Sequence, residues 1–223
     1  MELSITLIIV IITCLVSIGG FSNQKIIDDL IFYPPSVARG QYYRFFTHGL
    51  IHADVAHLAF NMIALYSFGE VLEKVVFTHA CYFGMRGPVF YVILYLGGLL
   101  FASIPDQIKY RNSYQFRSLG ASGAVTAVIF GNVILLPKMG IGFPFIPNLS
   151  IPGYIYGVLY LGVSAYLDKR GGGHINHSAH LWGGLFGLAF TIIMVSVFGH
   201  VNVWDNFIEQ MQASRPFLPY CDR

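Results

Sequence analysis

The sequence predicts an all-α, polytopic membrane protein, a single domain over residues 1–223 that forms a bundle of six transmembrane helices. Three observations carry this expectation. Apolar and aromatic residues make up 55% of the chain, with 24 glycines besides. Only 11% is charged, against about 25% in an average soluble domain. The apolar residues also fall in runs of about 20, the length that crosses a hydrocarbon core of about 30 Å. Disorder is excluded, because disordered chains are rich in charge and poor in aromatics. The formal charge of +2 gives no footprint for nucleic acid or an acidic partner, so the expected partner is the lipid bilayer.

The first span, 3–21, carries no charge. It reads as a retained helix rather than a signal peptide, since Glu2 but no Lys or Arg precedes it and no A-x-A site follows. Residues 23–52 are aromatic and contain Pro34 and Pro35. They are too apolar for a solvated linker and are expected in the interface and partly in the membrane. Five further spans are expected at about 55–77, 88–104, 119–136, 151–167 and 180–198, with 199–223 a surface tail. Pro88 suits a first helical turn, while Pro105, Pro137 and Pro152 mark ends or starts. The connections collect the charges, among them Asp106, Lys109, Arg111 and Arg117. Six spans put both termini on one side with five basic residues (Lys74, Arg86, Lys138, Arg215, Arg223) against eight on the other, a weak lean towards termini outside.

Ionisable and amide side chains are costly within a bilayer, so those that occur mark candidate sites. His57 and Asn61, four apart, share one face of the second span and can act on one point. Hydrogen-bonding glue between helices is the lesser alternative for such a pair alone. Gly120-Ala121-Ser122-Gly123 follows a charged connection and puts Ser122 at a helix start, where free N–H groups favour an anion. A third group is His174, His177 and His180. His180 is followed by Gly183 and Gly187, a G-x-x-x-G face matched by Gly123, Ala127 and Gly131 in the fourth span. Packing these faces together could bring Ser122 and His180 within hydrogen-bonding distance, the arrangement of an activated nucleophile. Metal binding is the rival use of the histidines, since His48 and His52 are four apart. No H-E-x-x-H occurs and no Asp or Glu lies well inside a predicted span, so no metal and no cofactor is expected.

YRFFTHGLIHADVAHLAFN, then GASG, then AHLWGG, in this order on six spans, make the chain similar to the rhomboid family of intramembrane serine proteases. The resemblance implies Ser122 as nucleophile, His180 as general base, and His57 and Asn61 beside the oxyanion. It implies structural support from Arg44, His52 and Glu73, with Gly120, Gly123, Gly183 and Gly187 allowing close approach. Substrates would be single-span or other transmembrane proteins, cut through a Ser–His dyad. It further implies a bacterial cytoplasmic (inner) membrane location with both termini cytoplasmic, against the lean of the charges. Tyr43 stands in place of the family's usual tryptophan, and Thr126 where bacterial members often carry a tyrosine under the histidine. His48, His52, Ser118 and the glycines at 171–173 are expected to frame an aqueous cavity. A non-catalytic relative that binds or escorts membrane helices is the alternative; a histidine proton relay in a transporter would spread polar residues over more spans.

Overall fold

A computed structural model describes residues 3–143, 146–171, 175–214 and 218–219. Helices occupy all six predicted stretches: α1 (Ile5–Ser22), α5 (Val55–Glu70), α6 (Gly87–Tyr110), α7 (Ser122–Leu135), α8 (Gly153–Arg170) and α9 (His177–Phe198). Three short helices, α2 (Gln24–Leu30), α3 (Pro34–Val37) and α4 (Arg44–Thr47), lie between α1 and α5, and α10 (Val203–Gln212) follows α9.

The distribution of polarity is that of a protein whose solvent is lipid. On α1 the buried residues are Thr6, Thr13, Ser17 and Gly20, whereas Ile8, Ile11, Ile12, Leu15 and Ile18 are exposed. On α9 the buried face carries Gly183, Gly184, Gly187 and Thr191, and Ile193 and Val197 point out. Lipid gives no reward for burying a leucine, so small residues that let backbones approach take the interfaces.

Of the six helices, α1, α5 with its continuation, α6 and α9 are long and apolar enough to cross a bilayer. The other two fall short of the six-span expectation for different reasons. Helix α7 has 14 residues, and every one after Ser122 is buried, so it is a core helix wrapped by the others. Helix α8 is long enough, but tyrosines, glycines and a charged last turn dilute its hydropathy. The chain also departs from all-α between α7 and α8. There β1 (Gly140–Phe143) pairs antiparallel with β2 (Ile146–Pro152), Ile141 opposite Ile151.

Helix α5 runs into a π-helical stretch at Val71–Phe77 that turns Glu73 into the bundle. The buried Glu73 carboxylate accepts the Ile5 and Thr6 amides, each at 2.8 Å, satisfying donors that a helix start leaves unpaired. The Thr6 hydroxyl bridges Glu73 and the Tyr91 hydroxyl, each at 2.7 Å, and Ser4 bonds Glu70. One acidic turn of α5 therefore holds the N-terminus of α1 and the face of α6.

Helix α6, the third predicted span, outruns its predicted end. Pro105 lies inside α6, which continues to Tyr110 and carries Asp106 into the interior at 2% exposure. Pro105 predicts a helix end, because proline removes one helical hydrogen bond, and so predicts Asp106 in a loop. Here the helix continues past it.

Candidate active site

The stretch before α7 is held by the residues between α1 and α5. Ser118 and Phe32 exchange both backbone hydrogen bonds, at 2.9 and 3.0 Å. The Gly120 amide donates to the His48 carbonyl at 2.9 Å. Gly120 has φ +111°, and a Cβ there would stand 2.8 Å from the His57 ring, so both backbone and space require glycine. The next amide, Ala121 N–H, donates to His52 Nε2 at 3.3 Å. An accepting Nε2 puts the His52 proton on Nδ1, which meets Ser17 Oγ at 2.9 Å, and Ser17 in turn donates to the Leu50 carbonyl. Burial first, then the neighbouring His57 and His48, push the His52 pKa down to about 3, consistent with a neutral acceptor. His48 is likewise driven down to about 4 by burial, and meets Ser103 Oγ at 3.1 Å. The two peptide groups just ahead of Ser122 are therefore fixed by histidines, and Ser122 begins α7 half-buried.

His180 reaches the same end of the bundle through the glycine faces. A Cβ on Gly183 would collide with the Gly123 carbonyl, and one on Gly187 with the Ala127 carbonyl. A turn further, Thr191 Oγ1 approaches Gly131. The steps 123/183, 127/187 and 131/191 define two helices packed in parallel, so Ser122 and His180 both sit in first turns, side by side. No hydrogen bond joins Ser122 to His180 among the described residues. Catalytic hydrogen bonds are often long before substrate binds.

The environment of His180 contains a residue that sequence reading missed. The Tyr160 ring of α8 stacks on the imidazole, centroids 5.9 Å apart at 28°. Its hydroxyl lies 3.2 Å from Thr126 Oγ1, and Thr126 donates to the Ser122 carbonyl at 2.7 Å. With the threonine proton committed, Tyr160 is the donor of the remaining bond. A four-residue repeat of Tyr156 and Tyr160 was the available signal, but only packing could say which ring meets His180. His177 stands edge-on to His180 at 6.1 Å, and His174 lies outside the described residues.

Asn61 is buried, and its side-chain amide donates to the His57 carbonyl at 2.9 Å, one turn back on α5. The second hydrogen on that nitrogen has no partner among the described residues. His57 packs edge-on to His52 at 4.9 Å and against Gly120. Asp54 caps this helix by accepting the His57 amide at 2.8 Å. Arg44 lies away from the serine. Its buried guanidinium donates to the Asp28 and Ile31 carbonyls and to Gln41 Oε1, at 2.9, 2.7 and 2.6 Å, tying α2 to α4.

The expected cavity is differently built. His48 and His52 are buried and engaged with Ser103, Ser17 and Ala121, and the Ser118 hydroxyl accepts from the Asn176 side chain, so these side chains act as supports. A cavity of about 440 Å³ opens instead between α8 and α9, with Tyr156, Tyr160, Ser164, Ile175, His177 and His180 among its walls. It reaches the imidazole from the side of Tyr160. The arrangement offers a serine at a helix start, an imidazole in the neighbouring first turn, and amide donors nearby.

Comparison with known proteins gives matching results. The family model for the Rhomboid domain matches residues 39–197. The chain is 26% identical over 178 residues to RHOMBOID-like protein 12, mitochondrial, of Arabidopsis thaliana, covering 73% of this chain and 49% of that protein. It is 27% identical over 142 residues to Rhomboid protease GluP of Bacillus subtilis, covering 55% and 25%. It is 28% identical over 191 residues to Rhomboid-related protein 2 of Mus musculus, covering 82% and 58%. The chain thus spans between a quarter and somewhat over half the length of these relatives.

Proposed function

The chain belongs to the rhomboid family, and from that premise we propose that it is an intramembrane serine endopeptidase that cleaves transmembrane segments of other proteins through a Ser122–His180 dyad. The observation that carries this reading is the parallel α7–α9 contact, whose glycines bring the two first turns side by side with Tyr160 stacked on His180. Ser122 Oγ attacks the scissile carbonyl while His180 takes its proton, and the ring then protonates the leaving amine. The oxyanion accepts from the Ser122 amide and from the His57 and Asn61 side chains, where losing one donor typically costs about 10²–10³ in rate. The substrate is a single-span or other membrane helix, unwound locally so that its backbone can enter. All six helices then serve as spans, α7 and α8 included, in a bacterial cytoplasmic membrane with both termini on the cytoplasmic face.

Reconstitution in lipid vesicles with a labelled single-span substrate tests the dyad. Wild-type protein is expected to cleave, and Ser122→Ala and His180→Ala to lose cleavage. Either variant working at the unaltered rate would sink the assignment. One observation favours a second reading, a non-catalytic relative that holds membrane helices: among the described residues no hydrogen bond joins Ser122 to His180. That reading requires that a fluorophosphonate probe leave Ser122 unlabelled.

A further inference from the structure

We propose that Asn176 is a positioning residue for His180, the node of a latch that joins Asp106, Ser118 and the start of α9. The proposal rests on the protease reading above. Asn176 stands immediately before α9, four residues ahead of His180. Its Oδ1 accepts the Ala179 amide at 3.0 Å and so caps the helix. Its Nδ2 donates to Asp106 Oδ2 at 2.6 Å and to Ser118 Oγ at 3.1 Å. A side-chain amide has two N–H donors and one carbonyl, so both donors are committed and the carbonyl is engaged.

The three partners come from three elements. Asp106 is buried near the end of α6. Ser118 lies four residues before Ser122 in a stretch already paired with Phe32. Ala179 is the residue before His180. One side chain therefore fixes the turn that carries the base against the segment that carries the nucleophile. The bond to Asp106 is short, at 2.6 Å, and it helps pair an acidic side chain that burial would otherwise leave costly.

A simple helix cap uses only the Oδ1 acceptor, which aspartate supplies as well as asparagine. Asn176→Asp therefore keeps the cap and the size, removes both donors and sets a carboxylate against Asp106. Combining it with Asp106→Asn reverses the polarity: the amide now donates from α6, the carboxylate accepts at the cap, and the Ser118 hydroxyl can donate to it.

The test measures kcat and KM for a labelled single-span substrate in vesicles, the rate of fluorophosphonate labelling at Ser122, and thermal unfolding. Misplacing a reacting group by 1 Å can cost of order 10²-fold, so Asn176→Asp is expected to lower kcat at least about tenfold with KM nearly unchanged. The reversed pair should recover most of that loss. An unaltered kcat in Asn176→Asp overturns the latch. So does a reversed pair that regains thermal stability without regaining kcat, since the role is then structural alone. Should Asn176→Asp fail to fold, Ser118→Ala decides: a several-fold lower kcat at unchanged unfolding temperature supports the latch, and an unchanged kcat overturns it. A wild-type protein inert to both substrate and probe overturns the protease reading and the positioning role with it. An active wild type with an unaffected Asn176→Asp overturns the latch alone.

Discussion

At the scale of single residues, the informative position is Thr126. The family resemblance expects an aromatic ring under the histidine, contributed one turn after the serine, and this chain has a hydroxyl there instead. The ring comes from α8 as Tyr160, and the threonine is what tethers it. The two roles predict different losses. Tyr160→Ala removes the surface against which His180 rests and should lower kcat about tenfold to a hundredfold, within the range that misorientation produces. Tyr160→Phe keeps the ring and loses only the bond to Thr126, so a few-fold loss is expected. Thr126→Val breaks the same bond from the other side and also removes the hydroxyl's bond to the Ser122 carbonyl, so adding it to Tyr160→Phe should cost only what that second bond contributes. Cleavage kinetics on the three single variants and the double variant check this; a Tyr160→Ala enzyme with wild-type kcat would remove the ring from the account.

At the scale of elements, the glycine contact between α7 and α9 was legible in the sequence. A G-x-x-x-G spacing after His180 and small residues at the same period after Ser122 say that two helices can approach closely. They do not say how deeply, and the parallel register emerges only from which carbonyl each missing Cβ would strike. Gly183→Val should therefore force the helices apart, at a cost of at least about 1–3 kcal/mol, and abolish cleavage. Gly162, exposed in α8, is the contrast: among the described residues an added Cβ would meet no packing neighbour within 4 Å. Gly162→Ala should raise stability by about 0.5–1 kcal/mol through helix propensity alone. Thermal unfolding in detergent measures both, and a tolerated Gly183→Val would contradict the close contact. Other elements were hidden for physical reasons. Pro105 looks like a stop, because proline costs one hydrogen bond, yet α6 continues past it and delivers Asp106 to Asn176. The β1–β2 hairpin lies between two apolar stretches, and short apolar runs do not distinguish strand from helix by period. Tyr160 and Asn176 join elements far apart in the chain, and no local pattern reports such a meeting.

At the scale of the whole molecule, the length of α7 sets where the chemistry happens. Its 14 residues rise about 21 Å, against about 30 Å of hydrocarbon. If its far end lies level with those of the longer helices, Ser122 begins about 9 Å below one face of the membrane, the shortfall left by those lengths. The stretch ahead of it, with Gly120 and Ala121 held by His48 and His52, fills that depth with satisfied backbone, as non-helical chain within a membrane requires. On the proposed protease reading the serine is then open to one aqueous side, and which side depends on the orientation of the bundle. Basic residues lean towards termini outside, which would turn the serine inward; the proposed orientation turns it outward, with the termini in the cytoplasm. A membrane-impermeant fluorophosphonate added to intact cells separates the two, because it can reach Ser122 only from outside. Labelling of wild type that is absent in Ser122→Ala is the expected result. Labelling that appears only after the cells are made permeable would invert the molecule, give weight to the five-to-eight distribution of basic residues, and direct the search for substrates to helices whose unwound ends face the cytoplasm.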